Sequence, residues 1–168
     1  LQGVHERQAF ARDIQEMEEM IRATLDYLRG AADPEPFVSM DMGALVTSMA
    51  CDCQDSGQDV QVFGSVRVAP LQVQAAAMRH CIGNLISNAL RYGVCARISL
   101  IDSPDALQIT VADDGPGIAV AELAKVMIPF YRLEGSRNRK NGGVGLGLAT
   151  ASDIAKRHGG TLGMANHP

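Results

Sequence analysis

Apolar residues recur at Ile14, Met17, Ile21, Leu25 and Leu28, three or four positions apart between Asp13 and Arg29. That spacing predicts one stripe of an amphipathic helix. No nearby stretch offers the stripe a cover, so it is expected to pack in a bundle, against a second copy of the chain or a helix outside it. The alternative is a helix docked on its own domain. Gly30-Ala31-Ala32-Asp33-Pro34-Glu35-Pro36 stops the pattern, because proline and glycine do not continue a helix, and a linker over 31–41 with a domain boundary is predicted there. Beyond it the pattern predicts a helix from Met42 to Cys51 and an alternating strand at Val60-Gln61-Val62-Phe63. A long helix is predicted to open at Pro70 and run to about Tyr92. Arg97 to Ile101 and Leu107 to Val111 read as strands joined as a hairpin through Ser103-Pro104-Asp105. A last helix, Leu148 to His158, stops at Gly159-Gly160, and Thr161 to Met164 is expected to begin one more strand.

The 168 residues are 46% hydrophobic and 20% charged, which suits one soluble globular domain and not a disordered, collagen-like or disulfide-dense chain. Against 19 acidic residues there are 15 Lys and Arg, a formal charge of -4 that repels a polyanion, so nucleic acid is not an expected partner. No stretch approaches the roughly 20 apolar residues of a membrane span, and the first residues do not read as a signal peptide. Cys51, Cys53, Cys81 and Cys95 form no C-x-x-C pair and are expected to be free, mostly buried thiols in a reducing compartment.

Three stretches carry candidate chemistry. Asp113-Asp114-Gly115-Pro116-Gly117-Ile118 follows a predicted strand, with glycines that let a ligand approach the backbone. There Asp113 offers an acceptor for an exocyclic amine, which would select adenine over guanine; a plain Asp-Gly turn is the alternative. Gly143-Val144-Gly145-Leu146-Gly147-Leu148 meets the start of a helix, where free N–H groups favour phosphate, although glycines also serve tight packing. It lacks the Gly-Lys-Ser/Thr end of a P-loop and does not follow a strand as a Rossmann fingerprint would. Asn84, Asn88, Arg91 and Tyr92 fall on one helical face opposite Ile82, Leu85, Ile86 and Ala89. Carboxamide oxygens suit Mg2+ shared with phosphate, and Arg91 suits phosphate itself; a solvated polar face is the alternative. Between the glycine runs, from about Ala119 to Gly143, a stretch ending in the basic run Glu134 to Gly143 reads as a lid over an anionic ligand.

In this order the stretches resemble the N, G1, F and G2 boxes of the sensor histidine kinase catalytic domain. The N box is Asn84 to Tyr92, G1 is Asp113 to Gly117, the F box is Pro129-Phe130-Tyr131-Arg132, and G2 is Gly143 to Gly147. The likeness covers about residues 13 to 165. It extends to the EnvZ-type subgroup, because Asp13 to Arg29 is similar to the second helix of that group's dimerisation and phosphotransfer hairpin. The resemblance implies an α+β fold, a two-layer α/β sandwich with a mixed sheet on one side and helices on the other. Residues 1–30 would be part of the hairpin and 42–168 the catalytic ATP-binding domain, with the strand usually found after Met164 missing.

By the same resemblance, Mg-ATP would lie between the long helix and the lid. Asn88 would ligand Mg2+ with Asn84 assisting, Arg91 would contact phosphates, Tyr92 would line the adenine pocket, and Asp113 would bind the adenine amine. Gly115 and Gly117 would border base and sugar, Gly145 and Gly147 the phosphates, and Phe130 would anchor the lid. Ile118, Gly143, Val144, Leu146 and Leu148 would complete the nucleotide-binding set. Arg132, Arg137, Arg139 and Lys140 would be looser phosphate contacts.

The implied activity is transfer of the ATP γ-phosphate to a histidine on a dimerisation helix outside this chain, for relay to a response regulator aspartate. The implied setting is a homodimer anchored in the bacterial inner membrane through other segments, with this domain in the cytoplasm. His5-Glu6-Arg7 is superficially similar to the acceptor motif H-E-x-R, but the Arg-Thr-Pro that should follow is missing, and His5 reads as a surface residue. His80 is one turn from Asn84, either near the nucleotide or simply polar on an exposed face. His158 reads as a helix C-terminal residue favoured by the dipole, and His167 as part of a tail. Rival readings are a gyrase-, Hsp90- or MutL-like ATPase, an anti-sigma-type serine kinase and a non-catalytic nucleotide-sensing module. The hydrolases commonly carry Glu where Asn84 stands, and an amide cannot serve as the general base for water.

Overall fold

Asp41 starts the first helix of the domain: its backbone is extended and its carboxylate accepts the Ala44 N–H at 3.0 Å, satisfying one of the donors a helix start leaves open. The computed structural model describes residues 35–64, 69–133 and 144–166, together with Phe10, Ile14, Met17, Glu18, Met20, Ile21, Thr24 and Leu25. The elements among them are β1 (Val38–Met40), α1 (Met42–Asp55), β2 (Asp59–Phe63), β3 (Leu71–Val73), α2 (Ala75–Tyr92), β4 (Cys95–Asp102), β5 (Leu107–Asp113) and α3 (Gly147–Arg157). A single 3-10 turn spans Val120–Glu122.

β4 is the middle strand of a mixed three-stranded sheet. It runs parallel to β2, with Val60 opposite Ala96 and Val62 opposite Ile98, and antiparallel to β5, with Ile98 opposite Val111 and Leu100 opposite Ile109. The parallel pair requires a crossover, which α2 supplies, whereas β4 and β5 turn directly through Ser103, whose N–H donates to the Ala106 carbonyl at 3.1 Å. One face of β4 is apolar, and Ala96, Ile98 and Leu100 are buried against Met42, Leu45, Val46, Met49 and Ala50 of α1 and Ile82, Ile86 and Ala89 of α2. Each larger side chain so buried contributes about 1.5–3 kcal/mol relative to exposure. The opposite face of the strand carries the exposed Arg97 and Ile101. The observed arrangement is the α+β sandwich with a mixed sheet that the sequence led one to expect.

α2 serves two cores. While Ile82 and Ile86 face α1 and the sheet, Cys81 packs with Ala151 and Ile154 of α3, and Ala77, Met78, Leu85 and Leu162 close that second cluster. α2 and α3 therefore run antiparallel: Gln74, preceding α2, meets His158, following α3, and Asn84 meets Gly147 at the other end.

The structure differs from the sequence pattern in several places. Leu71–Val73 is a strand, not the first turn of a helix, because it pairs antiparallel with Val38–Met40 in a ladder from Val38–Val73 to Met40–Leu71. The helix begins only at Ala75. Residues 38–40, expected as linker, thus belong to this domain, and so does Glu35, whose carboxylate accepts the Ala76 N–H at 2.7 Å and the Ala77 N–H at 3.1 Å. Thr161 to Met164 forms no strand; Leu162 is used for packing on α3 instead. Of the four free cysteines, Cys81 and Cys95 are buried, but Cys53 is half-buried and Cys51 exposed. Burial pushes the Cys81 thiol up to about 11. Phe10, Ile14, Met17, Met20, Ile21 and Leu25 are helical positions, all exposed, while Leu28 and His5 lie outside the described residues. Among the described residues no helix is long and apolar enough to cross a membrane.

Candidate active site

Position 84 lies in the middle of α2, one turn after His80, which is exposed, and one turn before Asn88, which is half-buried. The Asn84 side-chain nitrogen is buried and, among the described residues, has no hydrogen-bond partner. An unpaired buried amide donor costs roughly 1–3 kcal/mol, so its retention marks a place where something else supplies an acceptor. Beside it stands Gly147, the first residue of α3: a β-carbon at 147 would lie 3.7 Å from both Cγ and Oδ1 of Asn84. Among the described residues no side chain caps that helix start, so its leading N–H groups and the unpaired amide share one locality. Two turns further along α2, Arg91 and Tyr92 are exposed, with Tyr92 at its last position.

The glycine stretch that follows β5 meets the C-terminal end of α2. Asp113 closes β5, and its Oδ1 accepts the Gly115 N–H at 2.8 Å, fixing a tight turn. A β-carbon at 115 would come 2.7 Å from the Tyr92 carbonyl oxygen and 2.6 Å from Asp113 Oδ1, so only glycine lets this turn pack against the helix end. Asp114 is a structural anchor: its Oδ1 accepts the Val94 N–H at 2.7 Å and the Cys95 N–H at 3.2 Å. These bonds, from Val94 first and Cys95 second, hold its carboxyl below the usual range despite the opposing effect of desolvation. Asn166, 48 positions beyond Ile118, reaches back to the same loop and grips Ile118 at both backbone groups.

Phe130 and Gly145 join the remaining pieces. The Phe130 N–H donates to the Gly145 carbonyl at 2.9 Å. Gly145 has φ 79°, and a β-carbon there would stand 2.9 Å from the Tyr131 carbonyl oxygen. Phe130 itself has φ 66°, a left-handed backbone that costs a bulky residue about 1–3 kcal/mol and is typical of sites where function dictates geometry. Its ring is 56% exposed, so backbone, not ring packing, connects it to the rest of the site. The following Tyr131 hydroxyl donates to Glu122, which also accepts from Lys125 Nζ at 3.0 Å. That pair of donors, Tyr131 first, keeps the Glu122 carboxyl below its ordinary range.

The four stretches singled out in the sequence are thus contiguous, through Asn84 with Gly147, Tyr92 with Gly115, and Phe130 with Gly145. Val144 and Leu148 are half-buried beside this junction in sequence, Leu146 is buried, and Arg132 is half-buried. Arg137, Arg139, Lys140 and Gly143 lie outside the described residues, as does His167. Sequence reasoning missed the roles of Asn166, Asp114 and Glu35, whose partners are brought near only by the fold, and of Glu122, whose partners Lys125 and Tyr131 follow it closely in the chain. His158 closes α3 as its C-cap, as expected, and also links it to the start of α2: its Nε2 accepts the Gln74 N–H at 3.0 Å while Nδ1 lies 2.8 Å from the Ile154 carbonyl.

A mixed sheet under antiparallel helices, with one glycine stretch at the C-terminal end of α2 and another against its middle beside the carboxamide of Asn84, matches an α/β sandwich of the kinase and ATPase type. The sequence from 73 to 168 matches the histidine kinase-, DNA gyrase B- and HSP90-like ATPase family. The sensor histidine kinase GtrS of Pseudomonas aeruginosa is 35% identical over 95% of this chain, which covers 33% of that protein. The sensor protein RstB of Escherichia coli is 33% identical over 94% of the chain and 37% of its own length. The crystal structure of the ATP-binding domain of PrrB from Mycobacterium tuberculosis superimposes with a TM-score of 0.63 at 25% identity, over 79% of this chain and 89% of that one. The chain belongs to the histidine kinase-, DNA gyrase B- and HSP90-like ATPase family. It spans about a third of the length of these curated relatives.

Proposed function

We propose that this domain binds Mg-ATP between α2 and the segment leading from Phe130 to Gly147, and presents the γ-phosphate to a histidine on a separate helix. The observation that carries this reading is the orphaned buried amide of Asn84 beside the uncapped start of α3. A polyphosphate would supply the acceptors that both lack. That the Mycobacterium neighbour is named an ATP-binding domain supports the choice of triphosphate.

In this reading Asp113 accepts from the adenine amine with the carboxylate oxygen that Gly115 does not use, and Tyr92, Gly117 and Ile118 border the base. Arg91, Arg132 and Lys140 face the phosphate charge. Gly143, Val144, Gly145, Leu146, Gly147 and Leu148 present backbone to it. Among the described residues no group of three His, Cys, Asp or Glu is placed to hold a metal, so the carboxamide oxygens of Asn88 and Asn84 are the ligands we assign to Mg2+. The ion supplies charge neutralisation of the triphosphate. Transfer then needs in-line positioning: the bond from the bridging oxygen to the γ-phosphorus breaks as an acceptor imidazole nitrogen bonds to phosphorus, and ADP leaves with the electron pair.

We further infer that the acceptor histidine lies on a dimerisation hairpin to which the exposed stripe Phe10, Ile14, Met17, Ile21 and Leu25 contributes. The protein would act as a homodimer, pass the phosphoryl group to a response regulator, and keep this domain in the cytoplasm through an inner-membrane anchor elsewhere. The test mixes this chain with radiolabelled Mg-ATP and a separately made acceptor hairpin. Label on the hairpin that is lost in acid and stable in base is the expected result. Acid-stable label would indicate a serine ester, and release of free phosphate without labelled hairpin would indicate a hydrolase.

A further inference from the structure

We infer that Asn166 is a positioning residue for base recognition, holding the loop Gly115–Ile118 in the shape that lets Asp113 distinguish adenine; the inference rests on the adenine role proposed for Asp113. The Asn166 carboxamide acts as a substitute peptide group. Its Oδ1 accepts the Ile118 N–H at 2.9 Å and its Nδ2 donates to the Ile118 carbonyl at 2.7 Å. A loop leaves such backbone groups without ladder partners, and a side chain carrying both an acceptor and a donor is the economical way to satisfy the two together.

Gly117 records the same contact independently. Its φ of 73° lies in the left-handed region, and a β-carbon there would approach Asn166 Oδ1 to 3.0 Å. The loop is therefore held at two points: Asp113 Oδ1 pins Gly115 at its start, and Asn166 pins Ile118 at its end. Asn166 itself is carried by a segment that Leu162 fastens to the Cys81–Ala151–Ile154 cluster. The base-recognition loop is thereby tied to α3, the helix whose first residue stands beside Asn84.

The experiment measures binding of Mg-ATP and Mg-ITP, which bears a carbonyl where adenine bears its amine, to the wild type, Asn166→Ala, Asn166→Asp and Asp113→Ala. The wild type is expected to prefer ATP. Asn166→Ala is expected to weaken ATP binding about three- to tenfold, as two loop hydrogen bonds imply, and to narrow the ATP-to-ITP ratio. Asn166→Asp keeps the acceptor for the Ile118 N–H but loses the donor, and should fall between; it carries the test if the alanine variant does not fold. A lowered melting temperature with an unchanged ATP-to-ITP ratio in both Asn166 variants, while Asp113→Ala loses the preference, overturns this inference alone. An unchanged ratio in Asp113→Ala with a narrowed one in Asn166→Ala removes Asp113 as the discriminating group and overturns the inference with it, since the loop would then position some other group. No change in any variant overturns both.

Discussion

Asn84 on α2 and Gly147 at the start of α3 lie in van der Waals reach, so that a methyl group at 147 would rest 3.7 Å from the Asn84 carboxamide. The contact places a buried donor, unpaired among the described residues, against the start of α3, and in the proposed function an anionic ligand satisfies both.

Replacing Asn84 by leucine removes the orphan donor while keeping side-chain volume. The nucleotide-free domain should gain stability, up to about 1–3 kcal/mol, and should lose the rise in melting temperature that millimolar Mg-ATP gives the wild type. Thermal melts with and without Mg-ATP check both halves. A destabilised variant that still responds to nucleotide would contradict the role assigned to this amide.

The two glycines of the same turn should respond differently to alanine. At 147 the backbone is helical and the neighbours are at ordinary contact distance, so Gly147→Ala should leave the fold intact, or stabilise it slightly, and reduce nucleotide affinity. At 145, φ 79° and a contact of 2.9 Å to backbone make alanine costly by at least about 1 kcal/mol. Urea melts together with fluorescent-nucleotide titration separate these outcomes.

Glu35 caps α2 from 41 positions away in sequence, doing what the side chain of Gln74 at the N-cap position does not. Glu35→Ala should therefore cost about 1 kcal/mol of stability, within the range of helix caps, through loss of the bonds to Ala76 and Ala77. Equilibrium urea denaturation of the two proteins measures it. An unchanged midpoint would show that water replaces the carboxylate without loss.

Asp114 gives the domain a pH dependence. The Val94 and Cys95 N–H bonds depress its folded pKa below the unfolded one, so its contribution is complete above the ordinary aspartate range of about 4 and is lost as pH falls through the lower folded value. Asp114→Ala should be less stable than the wild type at neutral pH, and the gap should close as pH falls below the ordinary aspartate range. Denaturant midpoints across that range report the difference; a gap independent of pH would exclude the charged form as its source.

Periodicity alone placed α1, the β4–β5 hairpin, α3 and the polar face of α2, because each is written in a local repeat of two or between three and four residues. The boxed motifs were legible for the same reason: Asn84 to Asn88, Asp113 to Gly117 and Gly143 to Gly147 each lie within a few consecutive positions. What the tertiary structure decided are relationships between residues far apart in the chain. Leu71–Val73 follows a proline that suits a helix start, yet pairing with Val38–Met40 turns it into a strand. Glu35 reads as linker until α2 arrives beside it, and Asn166 carries no local signal until Ile118 does. Such caps and clamps satisfy backbone groups that local structure leaves open, and which side chain reaches them depends on where the packed core brings the chain back.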